Sequence, residues 1–191
     1  MKIYLIRHGQ TMANADKKYL GSGSSPFTAL GLEQNADALS KLAQVEIDAV
    51  YSSPSDRCMS SANKLAECKR VQVITDARLS EIDFGKFEGL TWQEAEKNYP
   101  SEFKEFCEDP QNYVFPEGES QKRLDERTLS FIEEIKRGSY EGIAVFSHGG
   151  TIMSILSHLL EIEPHQKWRF KITHGSVSLV EIQGSYACLV L

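Results

Sequence analysis

No stretch of this sequence stays apolar for the roughly 20 residues that a membrane-crossing helix requires; its longest apolar runs, such as Ile143–Phe146 and Cys188–Leu191, are far shorter. Basic residues do not predominate. The 21 Lys and Arg against 27 Asp and Glu give a formal net charge of -6, so the chain offers no general attraction to nucleic acid or to an anionic membrane. Any anion site must be made by local clustering of positive charge. The opening Met1–Ile6 passes straight into charged residues without the apolar core and small-residue cleavage site of a secretory signal, so a mature chain starting here, in the cytoplasm, is expected. Cysteine is sparse and has no CxxC spacing: Cys58, Cys68, Cys107 and Cys188 read as reduced thiols, and with the histidines they supply no metal-site pattern. Repeats and low-complexity tracts are absent, and the Gly21–Ser25 stretch suits a mobile rim better than a linker.

What is present is enough apolar material, 41% of 191 residues, for one core and one domain, residues 1–191. Ile3–Ile6 is a short continuous apolar run ending in Arg7-His8-Gly9, the pattern of a strand buried on both faces that opens into a loop. Similar runs follow at 49–52, 71–74 and 143–146. Between them apolar residues recur at helical spacing: Leu32, Ala36, Leu39 and Ala43; then Leu124, Thr128, Phe131 and Ile135; then Ile152, Ile155 and Leu159. Strands separated by helices predict an α/β fold with a mostly parallel sheet covered on both sides. Val177–Ile182 and 186–191 around Gly184 read as a hairpin at a sheet edge.

Residues 84–120 are the least regular part, with several Gly, Pro and aromatic residues. They read as a cap-like excursion over the sheet's loop edge. It has short helices at 91–98, where Thr91 and Glu94 can form a capping box, and at 101–108, after the break at Pro100.

Chemistry-bearing residues gather at the ends of the expected strands, and in a parallel sheet those ends meet at one edge, where ligand sites are built. His8 offers a neutral imidazole nitrogen as nucleophile, and Gly9 permits close backbone approach. Arg7 and Arg57 supply planar forks matched to phosphate oxygens. His148, in Ser147-His148-Gly149-Gly150, stands either beside His8 as a donor to a phosphoryl oxygen or as a helix cap. Glu81 is the favoured general acid and base, with Asp83 as the competing assignment. His158, His165 and His174 are read as structural, with His174, before Gly175, at most bordering the cleft.

Taken in order, Ile6-Arg7-His8-Gly9-Gln10-Thr11-Met12-Ala13-Asn14, Ser52-Ser53-Pro54-Ser55-Asp56-Arg57, the 81–89 segment beginning Glu81-Ile82-Asp83-Phe84-Gly85, and Ser147-His148-Gly149-Gly150 resemble the motifs of the histidine phosphatase superfamily, the phosphoglycerate mutase-like proteins. The resemblance implies a three-layer α/β/α sandwich with a mixed, mostly parallel sheet. It also implies a phosphate pocket of Arg7, His8, Asn14, Arg57, His148 and Gly149, with His8 as nucleophile and Glu81 as proton donor, and no cofactor or catalytic metal. Gln10, Ser24, Ser61 and Phe87 depart from common family patterns and bear on substrate recognition more than on phosphoryl chemistry. The short chain is similar to small phosphatases, including alpha-ribazole phosphatases, which implies a small phosphorylated metabolite as partner. Alternatives are a broad-specificity phosphatase, a phosphoglycerate mutase and a noncatalytic phosphate-binding module. Trp92, Phe103, Phe106 and Tyr113 offer stacking surfaces for a base, or simply hold the cap to the sheet. Oligomeric state is open, monomer or homodimer.

Overall fold

A computed structural model describes residues 1–190. Among the described residues six strands form one sheet: β1 (Lys2–Arg7), β2 (Ala49–Ser52), β3 (Val73–Thr75), β4 (Gly142–Ser147), β5 (Val177–Gln183) and β6 (Tyr186–Val190), in the order β3-β2-β4-β1-β5-β6. The first four run parallel to one another, and β5 and β6 add an antiparallel hairpin at the sheet edge, as expected, lying beside β1; residue 191, the last of the expected 186–191 segment, lies outside the described residues. The helices are α1 (Met12–Ala15), α2 (Ala29–Leu42), α3 (Asp56–Lys69), α4 (Trp92–Asn98), α5 (Pro100–Glu108), α6 (Gln121–Ile135) and α7 (Gly149–Leu159).

Alternation along β1 explains the layering. Ile3 and Leu5 point into one cluster with Phe131, Ile135, Ile152 and Ile155 of α6 and α7. Tyr4 and Ile6 point into the other with Ala38, Leu42, Ala62 and Leu65 of α2 and α3. Because both faces are covered, the strand reads as a continuous apolar run and not as an alternating one. The result is the α/β/α sandwich that the motifs implied.

Two local expectations are corrected. The run at 71–74 is not a doubly covered strand: β3 is the sheet's edge, paired only with β2, and Ile74 is 42% exposed. In α2 the inward face is Gly31, Asn35, Ala38 and Leu42, one residue out of phase with the leucine-based reading, and Leu32 is 58% exposed. The loop after β1 sets that rotation. Gly31 packs against the Gln10 carbonyl, where a Cβ has no room, and Asn35 Oδ1 accepts the Gly9 N–H at 2.7 Å.

Residues 84–120 leave the sheet and build a third cluster, with Phe87, Phe103 and Phe115 at its centre. Fully buried Phe87 meets Phe115 edge-on at 5.4 Å, a burial worth roughly 1.5–3 kcal/mol. The capping box forms, as Thr91 Oγ1 accepts the Glu94 N–H and Glu94 accepts that of Thr91; Pro100 opens α5 as its first residue. At the base of the excursion Asp83 Oδ1 accepts the Gly85 N–H and the Asp83 carbonyl accepts that of Glu119.

Candidate active site

The register of parallel strands assembles the site. Arg7 of β1 lies opposite Ser147 of β4, so His8 and His148 leave the sheet side by side, with ring centroids 5.2 Å apart and planes at 66°. Ser52 of β2 lies opposite Phe146, and the chain beyond it, Ser53–Ser55, enters α3, whose first turn carries Arg57. Antiparallel β5 starts opposite Ile6 at Val177, which brings the preceding His174 to 5.9 Å from His8.

His8 is buried, and its Nδ1 lies 2.8 Å from the Gly9 carbonyl. A carbonyl only accepts, so Nδ1 carries the proton and Nε2 keeps its lone pair. Burial drives the His8 pKa down to about 3; Arg57 and Arg7 push the same way, and the bond to Gly9 opposes them. His8 is therefore a neutral imidazole with one bare nitrogen at ordinary pH.

His148 occupies the N-cap position of α7 but makes no side-chain cap bond, so capping does not account for it. Its Nδ1 accepts from Arg57 Nε at 3.2 Å, which places the proton on Nε2, 2.8 Å from Ser53 Oγ. Burial first, then Arg57, holds its pKa well below the usual imidazole value. Cys58 packs beneath it, with Sγ 3.6 Å from Nε2; burial pushes the thiol up to about 12, so it stays un-ionised.

Both arginines are fixed by carbonyl groups. Arg57 donates from Nη1 to Gly23 O at 2.8 Å and from Nη2 to Gly21 O at 2.6 Å, while Glu88 accepts the N–H groups of Gly21 and Gly23 at 2.9 Å. The Gly21–Ser25 rim is thus gripped from both sides of its backbone. Arg7 donates from Nη1 to Ile172 O at 2.6 Å and from Nη2 to His174 Nε2 at 2.8 Å. Its Nε is buried and has no partner among the described residues. Burial, then Arg7, lowers the His174 pKa to about 4, which keeps Nε2 an acceptor.

The Glu81 carboxylate rests on the first turn of α7, accepting from Gly150 N at 3.1 Å, Ile82 N at 3.1 Å and Thr151 Oγ1 at 3.3 Å. Close packing explains two glycines here: a Cβ on Gly149 would lie 3.1 Å from Arg7 Cζ, and one on Gly150 would lie 2.7 Å from Glu81 Oε1. Asp83 Oδ1 accepts the Gly85 N–H at the base of the excursion, and Asp83 lines the cleft together with Glu81. Asn14 commits Oδ1 to Thr11 in the α1 capping box and lines the cleft with its amide nitrogen uncommitted.

Glu81 separates two lobes of the cleft. One, about 520 Å³, is polar and includes Ser53, Ser55, Asp83, Arg123 and His148. The other, about 490 Å³, joins Arg7, Asn14 and His174 to Lys17, Lys18, Trp92, Phe106 and Trp168. The aromatic expectation thereby divides: Phe103 and Tyr113 belong to the buried excursion core, while Trp92 and Phe106 face the second lobe.

His174 comes closer to His8 than its sequence setting suggests, and Trp168 and Asn35 carry no signal in the sequence that marks them. The hairpin expected at a sheet edge carries the only signal for His174: its pairing beside β1, which the structure supplies, sends the 174–176 loop to the site edge. Among the described residues no group of His, Cys, Asp and Glu is arranged to hold a metal ion, and no helix is long and apolar enough to cross a membrane.

A buried neutral histidine among arginines at the carboxyl edge of this sandwich defines a candidate phosphoryl-transfer site. Over residues 3–191 the chain matches the histidine phosphatase superfamily (branch 1), and it belongs to that family. It is 28% identical over 190 residues to the adenosylcobalamin/alpha-ribazole phosphatase of Escherichia coli K12, covering 99% of this chain and 94% of that one. It is 28% identical over 184 residues to phosphoserine phosphatase 1 of Hydrogenobacter thermophilus, covering 96% and 87%. The crystal structure of the alpha-ribazole phosphatase from Shigella flexneri superposes with a TM-score of 0.95 at 27% identity, covering 100% and 95%.

Proposed function

We propose that the protein hydrolyses phosphomonoesters of small metabolites through a phosphohistidine at His8. The observation that carries this reading is the bond from His8 Nδ1 to the Gly9 carbonyl, which leaves Nε2 as a buried, unprotonated nucleophile between two guanidinium groups. Nε2 attacks phosphorus as the bond to the leaving oxygen breaks, and Glu81, in its carboxylic acid form, gives that oxygen its proton and is left as the carboxylate. The Glu81 carboxylate then takes a proton from water, which attacks the phosphohistidine and returns phosphate and neutral His8. Arg7, Arg57, Asn14, His148 and the Gly149 turn hold the phosphoryl oxygens; His148 exchanges its Ser53 partner for one of them. The chain works as one domain, with residues 84–120 as the cap over the leaving group.

Alpha-ribazole 5'-phosphate is the favoured substrate. The relatives named for alpha-ribazole support it, as does the aromatic lobe, whose Trp92 and Phe106 offer faces to a planar base. The phosphoserine phosphatase relative and the polar lobe with Arg123 favour a second reading, a phosphatase for small charged esters. Rapid quench with phosphorus-labelled substrate, followed by peptide mapping, tests the mechanism: label on His8, and loss of turnover by several orders of magnitude in His8→Ala, are expected. Label on His148, or near-normal turnover by His8→Ala, refutes it. A parallel turnover screen of alpha-ribazole 5'-phosphate, phosphoserine and phosphoglycerates separates the substrates, and isomerisation of phosphoglycerate faster than phosphate release would make the protein a mutase.

A further inference from the structure

Lys167, in the 3-10 helix Pro164–Arg169, is a fully buried cation outside the proposed chemistry. Its Nζ donates to Asp125 Oδ1 of α6 at 2.7 Å, and Ser154 Oγ of α7 donates to the same oxygen at 2.6 Å. The other carboxylate oxygen accepts from Gln111 Nε2, beyond α5, at 3.0 Å. One carboxylate therefore ties the excursion, two helices and the 164–169 segment together. Buried ion pairs are poor sources of net stability, since an apolar pair of similar volume often serves as well. What this one does is fix geometry.

The geometry in question belongs to the second lobe. The residue after Lys167 is Trp168, 54% exposed and lining that lobe, and Lys167 Nζ lies 5.8 Å from its ring centroid. Trp92 and Phe106 line the same lobe from the excursion that Gln111 anchors. We infer that Lys167, held by Asp125, is a positioning residue for the leaving group: it fixes Trp168 as one wall of the aromatic lobe, while Asp125 fixes the excursion through Gln111. Selectivity for an aromatic leaving group over a small one then depends on a pair that touches no substrate. The inference rests on the phosphatase reading above.

The test compares wild type with Lys167→Met/Asp125→Asn, which removes both charges and leaves neither unpaired. The substrates are alpha-ribazole 5'-phosphate and phosphoserine. The expected result is an about three- to tenfold rise in KM for the aromatic ester, with kcat and the phosphoserine parameters unchanged, the size of a lost aromatic contact. Trp168→Leu, which disturbs no buried charge, should give the same selectivity change and keeps the claim testable if the double variant does not fold. An unchanged KM ratio in either folded variant overturns the inference.

An activity-independent readout separates its failure from failure of the phosphatase reading. The chain has two tryptophans, so Trp92→Phe leaves Trp168 as the sole indole. Its fluorescence anisotropy should decay faster once Lys167→Met/Asp125→Asn is added to Trp92→Phe. An identical decay refutes the positioning role, whether or not any phosphomonoester is turned over.

Discussion

Acid should weaken this fold through His8 before it disables the chemistry. In the folded protein His8 titrates at about 3 against 6.5 for a free imidazole, so between those values the unfolded chain binds the proton and the folded chain does not. Stability from this group is therefore complete above pH 6.5 and is lost as pH falls from 6.5 through 3, by about 1.4 kcal/mol per unit. Going from pH 7 to pH 4.5 crosses about two units of that window, a loss of roughly 3 kcal/mol from His8 alone. His8→Gln keeps a side-chain donor for the Gly9 carbonyl but has no proton to gain. Urea unfolding of both proteins at pH 7, 6, 5 and 4.5 should give a wild-type curve that falls more steeply by that amount. Curves that fall in parallel would show that His8 is not held neutral by the fold, and the argument for a ready nucleophile would fail with it.

The remaining predictions concern the groups around the nucleophile. Gly150→Ala places a methyl group against Glu81 Oε1, and turnover in steady-state assays should drop on the order of a hundredfold, with the far-ultraviolet circular dichroism unchanged. Arg57→Lys forfeits the fork that bonds Gly21, Gly23 and His148 together; kcat/KM should fall by roughly 10- to 100-fold, and a value near wild type would remove Arg57 from phosphate binding. Asn35→Ala leaves the buried Gly9 N–H without its acceptor and should cost about 1–3 kcal/mol in urea unfolding, whereas Asn35→Asp, which keeps an acceptor, should recover most of it.

The parts of the molecule legible in the sequence are those where one periodicity reports one environment. Phe131 and Ile135 of α6, and Ile152 and Ile155 of α7, face a wide apolar sheet surface, so their spacing gives the true inward face. In α2 the inward positions are shared between the core and the loop after β1, and Gly31 and Asn35 are chosen by backbone contacts that hydrophobicity does not register. The same difference governs the site. His8 and His148 sit directly after strands, Arg57 in the first turn of α3 and Glu81 just past the 3-10 turn that follows β3, where sequence position largely dictates spatial position once the sheet is parallel. His174 and Trp168 arrive from segments placed by an antiparallel strand and by a buried ion pair, interactions between residues far apart in the chain.

Positive charge around a nucleophilic imidazole presents an apparent conflict that donor arithmetic resolves. A guanidinium carries five N–H donors. Arg57 commits three, to His148, Gly23 and Gly21, so 5 − 3 leaves two. Arg7 commits two, to Ile172 and His174, so 5 − 2 leaves three, including the buried Nε without a protein partner. An unpaired buried donor is costly, and an anion with several acceptor oxygens beside His8 would satisfy these groups. Burial first, and then the same two cations, holds the His8 and His148 pKa values below the usual range. On the proposed reading, the charge that would attract a phosphoryl dianion adds to burial in keeping a proton off His8 Nε2, and the carbonyls of Gly21, Gly23 and Ile172 hold both guanidinium groups in place. A nucleophilic role for His8 would then require no rearrangement of charge, which is the condition under which electrostatic stabilisation of phosphoryl transfer is most effective.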